Sequence, residues 1–258
     1  RDRSLYTLMK EKFQMTDDDF KAYSDDTGFD PVELPDHPVQ LAPEHIDALK
    51  AIVGEQNLST TDYDRLSVAY GATAYDLLRL RHKRIDSVPD VVLYPETSEQ
   101  VEQIVAYSTE HHIPLYVYGG GSSVTRGVEP TKGGISLDMR RNFNKVISFN
   151  EIDQTITVQA GMSGPDLEKT LQNAPELFGA KRQYTCGHFP QSFEYSSVGG
   201  WTVTRGAGQN STYYGTIADI VLSQKYATPI GVIQTSHYSR EATGPNLNQI
   251  CLLYTSPS

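Results

Sequence analysis

Apolar positions along the chain change their period at two places, and the changes mark out the elements. Residues 1–40 are mostly polar, with the acidic cluster Asp17-Asp18-Asp19 and a turn-rich stretch from Asp30 to Pro38. They read as an extension or packing arm. The spacing then predicts a helix over Pro43 to Val53, where Ile46, Leu49 and Val53 share one face and Gly54 suits a left-handed stop. A second helical stretch, from about Tyr63 to Lys83, is broken near Gly71. Its predicted core face carries Leu66, Ala69, Tyr70, Tyr75, Leu78 and Leu80.

From Pro89 the pattern turns to strands and helices in alternation. Val91 to Tyr94 is a short β-branched run closed by Pro95. Thr97 and Gln100 form a capping box ahead of the helical stripe Val101, Ile104, Val105 and Ser108. Leu115 to Tyr118 is the next strand and runs straight into Gly119-Gly120-Gly121-Ser122-Ser123. Further strands are predicted at Ile135–Leu137, Lys145–Ser148, Thr155–Gln159, Ile220–Ser223 and Gly231–Gln234, with a helix after Ser163.

Composition narrows the function. The 258 residues carry 22 Lys+Arg and 32 Asp+Glu, a formal charge of −10, which gives no basic footprint for nucleic acid. No apolar run exceeds four residues, so no transmembrane helix is predicted. Cys186 and Cys251 match no metal spacing, the seven histidines are scattered, and no metal site is expected. Arg1 is not followed by a secretory signal pattern.

Three consecutive glycines after a strand remove Cβ atoms where backbone must bend and can approach a ligand, and exposed amides there can cradle phosphate oxygens. A plain flexible turn is equally compatible with that loop alone. A Walker A loop fails because Lys132 is out of register, and a dinucleotide fingerprint fails because position 124 is Val124. A second segment, Ser196-Ser197-Val198-Gly199-Gly200-Trp201, places small residues ahead of an expected helix start, where amides favour an anion. Thr204-Arg205-Gly206-Ala207-Gly208 follows it.

These motifs carry a resemblance. Pro89-Asp90-Val91-Val92, the loop Gly119 to Val124, and the string from Ser196 to Val221 resemble the FAD-binding domain of the vanillyl-alcohol oxidase/PCMH flavoprotein superfamily. Within it the chain is most similar to the alkyldihydroxyacetonephosphate synthase branch and bacterial FAD-linked oxidases. Trp201 and Arg205 stand where glycolate-oxidase and D-lactate-dehydrogenase relatives carry other residues. The likeness spans roughly residues 62–250.

The resemblance implies an α+β fold: a PCMH-type domain of two α/β subdomains over 85–250, preceded by a helical region over 1–84, with a C-terminal cap domain missing. It implies noncovalent FAD, because Ser122 stands where covalent-flavin relatives often place His. Gly119, Gly120, Gly121, Ser122, Ser123 and Val124 would bind the diphosphate, and Gln191, Ser192 and Ser197 would line the flavin. Gly199, Gly200, Thr204 and Gly208 would continue the contacts, with Ile220 near the adenine. Arg240 is the catalytic candidate, the main acid–base residues being expected in the missing part. His188 is read as a hydrogen-bonded structural residue, Glu194 as a carboxylate that positions backbone, Tyr213 and Tyr214 as packing aromatics, and Cys186 as inert.

The implied reaction exchanges the acyl group of acyl-dihydroxyacetone phosphate for a fatty alcohol through a flavin N5 adduct, in ether lipid synthesis. A 2-hydroxy-acid dehydrogenase or oxidase of the glycolate or D-lactate type, and a noncatalytic nucleotide-binding module, remain the alternatives. A small-molecule or lipid substrate is expected and nucleic acid is not; peripheral membrane contact and homodimer formation stay open. The compartment expected is bacterial cytoplasm, or peroxisome for a eukaryotic source. Residues 251–258 match one reading frame of a common transposase sequencing adapter, so native sequence is expected to stop near Ile250, leaving a fragment that retains FAD weakly and does not turn over.

Overall fold

The structure is a computed structural model and describes residues 3–21, 31–235 and 244–250. The chain divides into two compact units, Arg1–Leu34 and Pro35–Ser258. The first contains two helices where the polar pattern suggested an arm, α1 (Arg3–Phe13) and α2 (Asp17–Lys21). Asp17 accepts from Tyr6 and Lys10, and Asp19 accepts from the Thr16 amide at the start of α2 (2.7 Å).

The second unit opens with α3 (Pro43–Val53), a 3-10 turn (Glu55–Asn57), β1 (Leu58–Ser59), α4 (Asp62–Ser67) and α5 (Ala74–Arg81). Pro43 starts α3 as expected, and Gly54 ends it at φ +88° and ψ 149°, a glycine-only turn but not the left-handed helical one. β2 (Val91–Leu93), α6 (Ser98–Glu110), β3 (Leu115–Tyr118) and β4 (Ile135–Asp138) follow. Thr97 caps α6, its hydroxyl accepting from the Gln100 backbone amide, while the Gln100 side-chain Oε1 takes the amide of Glu96 rather than that of Thr97.

The four strands form one sheet in the order β1-β2-β4-β3, with β4 parallel to both β2 and β3. β2 and β3 follow one another in the chain on either side of α6, and β4 lies between them in the sheet. Val91, Val92, Leu93, Ile135 and Leu137 are all at most 1% exposed, as expected for inner strands covered on both faces. Leu49 and Val53 of α3 and Ile104 of α6 pack on one face with Val91, Leu93, Ile135 and Leu137. Val68, Val92, Tyr94 and Tyr118 pack on the other. Each fully buried aliphatic side chain contributes roughly 1.5–3 kcal/mol.

Beyond the sheet come the hairpin β5 (Val146–Asn150) and β6 (Thr155–Val158), then α7 (Gly164–Gln172), α8 (Ala174–Phe178), α9 (Val198–Val203), α10 (Ser211–Tyr214) and α11 (Ile217–Ile220). A second core of Met162, Leu167, Leu171, Trp201 and Ile217 joins them. A last hairpin pairs β7 (Lys225–Thr228) with β8 (Gly231–Gln234), and a 3-10 turn covers Leu247–Ile250.

Two sequence expectations give way to the structure. Ile220–Ser223 is not a strand. The Thr216 amide donates to Asp219 Oδ2 (3.0 Å) and starts a helical turn that ends at Ile220, so the strand begins only at Lys225. In α5 the buried face is charged: Asp76 and Arg79 are 1% and 3% exposed, whereas Tyr75 and Leu78 are 46% and 53% exposed. Ion pairing, described below, overrides the apolar stripe. Among the described residues no helix is long and apolar enough to cross a membrane.

Candidate functional site

The parallel strands β2, β4 and β3 end on the same side, and the glycine loop leaves the carboxyl end of β3 there. The loop is pressed against the second glycine-rich segment. A Cβ on Gly119 would sit 2.4 Å from Ser197 Oγ, and one on Gly120 would sit 1.7 Å from the Tyr195 carbonyl oxygen. At Gly120 the obstacle is backbone and no side chain fits; at Gly119 the Ser197 hydroxyl would have to move. Gly121 has φ +70°, and a Cβ there would meet the Tyr118 hydroxyl at 2.0 Å.

The second segment is fixed by its own zipper. Ser163 and Ser197 face each other as an isolated antiparallel bridge. The Val198 amide donates to the Met162 carbonyl (2.9 Å), and the Gly199 amide to the Ala160 carbonyl (2.8 Å). Gly199 permits this approach, since a Cβ would lie 2.7 Å from that of Ala160. Ser197 caps α9 by accepting from the Gly200 amide (3.3 Å). The first amides of α9 are thereby all engaged within the protein, and the anion site expected at that helix start is not there.

The first loop is the opposite case. Among the described residues, the amides of Gly120, Gly121, Ser122, Ser123 and Val124 donate to no acceptor in the protein. Four of those five residues are half-buried; Val124 is exposed. Consecutive unpaired donors at a strand end are free to take an anion.

Beside this array lies a cavity of about 320 Å³ whose walls include Gly120, Ser163, Tyr195, Ser196 and Ser197. Arg140, Asp166 and Glu194 also line it. Arg140 is held by Asp138 through Nε–Oδ1 (3.0 Å) and Nη2–Oδ2 (2.6 Å) and lies over the Tyr118 ring at 4.6 Å. Asp166 accepts from the Ser163 hydroxyl (2.6 Å). With one cation and two carboxylates on its wall, the cavity itself does not attract an anion. A bound diphosphate would depend on the loop amides.

The remaining sequence candidates fall in two groups. Ser192 supports the segment from below, its carbonyl accepting from the amides of Tyr195 (2.9 Å) and Ser196 (2.8 Å). Gln191 is exposed at the head of that turn. Thr204 Oγ1 bonds back to the Gly200 carbonyl (2.7 Å), Gly208 packs on Phe189, and Ile220 ends α11. The recorded partners of Thr204 and Gly208 lie within residues 189–211, not on the first loop. Arg240 and Cys251 lie outside the described residues.

Three side chains differ from their sequence reading. His188 is 1% exposed and neither ring nitrogen has a partner; burial holds it below its ordinary pKa, against the edge of Trp201 at 4.9 Å. Glu194 bonds no backbone and lines the cavity instead. Tyr213 is 86% exposed and its ring meets that of Tyr214 edge-on at 4.8 Å, whereas Tyr214 also lies against Gly187. Burial pushes the Cys186 thiol up, in keeping with an inert role. Arg140 and Asp166 were missed because only the tertiary fold brings them to the loop.

The model of the FAD binding domain family matches residues 89–236, more than half of the chain. The chain belongs to that family. Within the FAD binding domain family it is similar to an alkyldihydroxyacetonephosphate synthase of Dictyostelium discoideum, 32% identical over 83% of this chain and 34% of that protein. It is also similar, at 27% identity over 79% of this chain and 33% of the relative, to a mitochondrial D-lactate dehydrogenase [cytochrome] of Saccharomyces cerevisiae. The chain thus spans about a third of the length of these curated relatives. A solved alkyldihydroxyacetonephosphate synthase superposes with TM-score 0.77 at 28% identity, covering 88% of this chain and 41% of that one. p-Cresol methylhydroxylase with substrate bound superposes at TM-score 0.64 and 16% identity, over 83% and 42% of the two chains, and places the architecture in the PCMH-type fold.

Proposed function

We infer that this chain holds FAD as the cofactor-binding part of an alkyldihydroxyacetonephosphate-synthase-type enzyme, one that exchanges an acyl group on acyl-dihydroxyacetone phosphate for a fatty alcohol. The observation that carries the reading is the run of five unpaired amides from Gly120 to Val124 beside the Tyr195–Ser197 wall. Those amides would hold the diphosphate, and Gly119 and Gly120 keep the wall close by having no Cβ. Ser122 and Ser123 stand ready as further hydroxyl donors. FAD, when bound, supplies the electron-accepting ring system that such exchange chemistry needs.

Within the chain, Ser196 and Ser197 form the wall against which a bound ring or ribityl group would rest, and Trp201 fixes Ser196 by donating from Nε1 to its hydroxyl oxygen (2.6 Å). The loop from Gly119 to Val124 contains only Gly, Ser and Val, and none of these forms a flavin linkage at that place, which supports noncovalent binding. Arg240 is retained in this reading as the cation steering an anionic substrate group. Similarity to a synthase at 32% identity, against 27% and 30% for two D-lactate dehydrogenases, supports the transferase over the hydroxy-acid class.

FAD titrated into the protein, followed by quenching of flavin fluorescence, is expected to saturate at one equivalent, with all flavin released on acid precipitation. Absence of saturable binding overturns the reading. Bleaching of the bound flavin by D-lactate or glycolate would instead move the chemistry to the hydroxy-acid class.

A further inference from the structure

We propose that Arg79 is a positioning residue for the glycine loop: from α5 it fixes, through Glu129, the conformation in which the loop presents its unpaired amides. The proposal rests on the FAD reading above for its ligand, but its mechanical part concerns the chain alone.

The amides from Gly120 to Val124 donate to no acceptor among the described residues, so this part of the loop depends on bonds made elsewhere. Residues 71–79 grip it at two points. At the first, the Ala72 amide donates to the Ser123 carbonyl (2.8 Å), and Gly71 approaches so closely that a Cβ would lie 2.3 Å from that oxygen. At the second, Arg79 Nη1 donates to Glu129 Oε1 (2.8 Å) and to Asp86 Oδ2 (3.1 Å), while Nη2 donates to Asp76 Oδ1 (2.6 Å). Arg126 Nε closes the other side of the same carboxylate, 2.7 Å from Oε2. The guanidinium lies 4.1 Å from the centre of the Tyr70 ring.

This arrangement is a poor choice for stability alone. Buried ion pairs return little over apolar side chains of equal volume, and their attested use is to select one geometry. Asp76 Oδ2 and Arg79 Nε are buried without partners, so the network is not even saturated. α5 nevertheless turns these charges inward and leaves Tyr75, Leu77 and Leu78 outside. A loop released from Glu129 would populate many conformations, and affinity would fall with the fraction still competent.

The test compares wild type with a triple variant, Asp76→Asn, Arg79→Met and Glu129→Gln, which removes the three buried charges together at similar volume. FAD affinity and hydrogen exchange over residues 119–131 are measured where circular dichroism shows both proteins folded. FAD binding weakened about tenfold or more is expected, as for a competent fraction near one tenth, together with faster exchange confined to the loop. Equal affinity and equal loop exchange overturn the proposal. Should wild type bind no FAD, the FAD reading falls, and the exchange comparison still decides the anchoring, unchanged exchange refuting it. Should the triple variant not fold, Glu129→Gln alone is read in the same two ways, with equal values again refuting it.

Discussion

Gly120 and Tyr195 are separated by 75 positions in the chain, yet no Cβ can be placed on the first without striking the carbonyl oxygen of the second at 1.7 Å. The obstacle is backbone, which cannot swing aside as a side chain can. Gly120→Ala is therefore expected to push the loop and the Tyr195–Ser197 wall apart. Overpacking of this kind destabilises by about 1–3 kcal/mol. A thermal melt checks the loss, and FAD titration should show binding reduced with it. A variant with the melting temperature and FAD affinity of wild type would refute the close packing.

Trp201 reaches the wall through one hydrogen bond. Its indole N–H donates to Ser196 Oγ (2.6 Å), and the Ser196 hydroxyl donates onward to the Ser192 carbonyl (2.7 Å). Trp201→Phe keeps most of the apolar packing but leaves the serine oxygen short of a donor. A loss of about 1–3 kcal/mol is expected from urea unfolding. Trp201→Ala also opens a cavity in the second core, with about 3–5 kcal/mol expected.

His188 sets an acid limit on stability. Burial depresses the folded-state pKa of its ring below the ordinary 6.5, so the unfolded chain binds a proton more readily. The stability contribution is therefore complete above about pH 6.5 and is lost as pH falls from there through the folded-state value. Glu129 and Asp76 act at lower pH: burial alone would raise both, but bonds from Arg79, with Arg126 on Glu129 and Thr73 on Asp76, outweigh it and hold them below their ordinary range. Melting temperatures between pH 7.5 and 5 should fall for wild type and fall less for His188→Phe. Parallel slopes would show that the ring does not titrate in that window.

Asp90 belongs to the Pro-Asp-Val-Val motif and is a bracket. Oδ1 accepts from the Gln40 amide (2.7 Å) and Oδ2 from the Gly134 amide (2.7 Å), joining the approach to α3 to the turn that starts β4. Asp90→Ala leaves both amides unanswered. About 2–6 kcal/mol of destabilisation is expected from two unmatched donors, each about 1–3 kcal/mol. Asp90→Asn, which keeps one acceptor, should lose less, and equal losses for the two variants would contradict the bracket.

Elements with a clean period were legible in sequence: α3, the core face of α6, the strand runs of β2 and β3, and the glycine loop after β3. The resemblance also pointed to the contact partners of the loop. What escaped were features decided by tertiary pairing. Leu78 looked like core, but Arg79 had partners at Asp76, Asp86 and Glu129, and burying matched charges outweighed burying one leucine. The start of α9 looked like an anion site because sequence cannot show that Met162 and Ala160 carbonyls already occupy its amides. Cavity-lining Arg140 and Asp166 carry no local signal at all.

The placement of β4 between β2 and β3 has a bearing on how the protein is made. Neither outer neighbour can zip up until the ribosome has delivered residues through Asp138, and by then the whole glycine-rich turn has already been synthesised and must be folded back over the growing edge. Non-local pairing of this order slows folding. The glycine-rich turn thus lies in the connection that ends in β4, the last strand of the sheet to be synthesised.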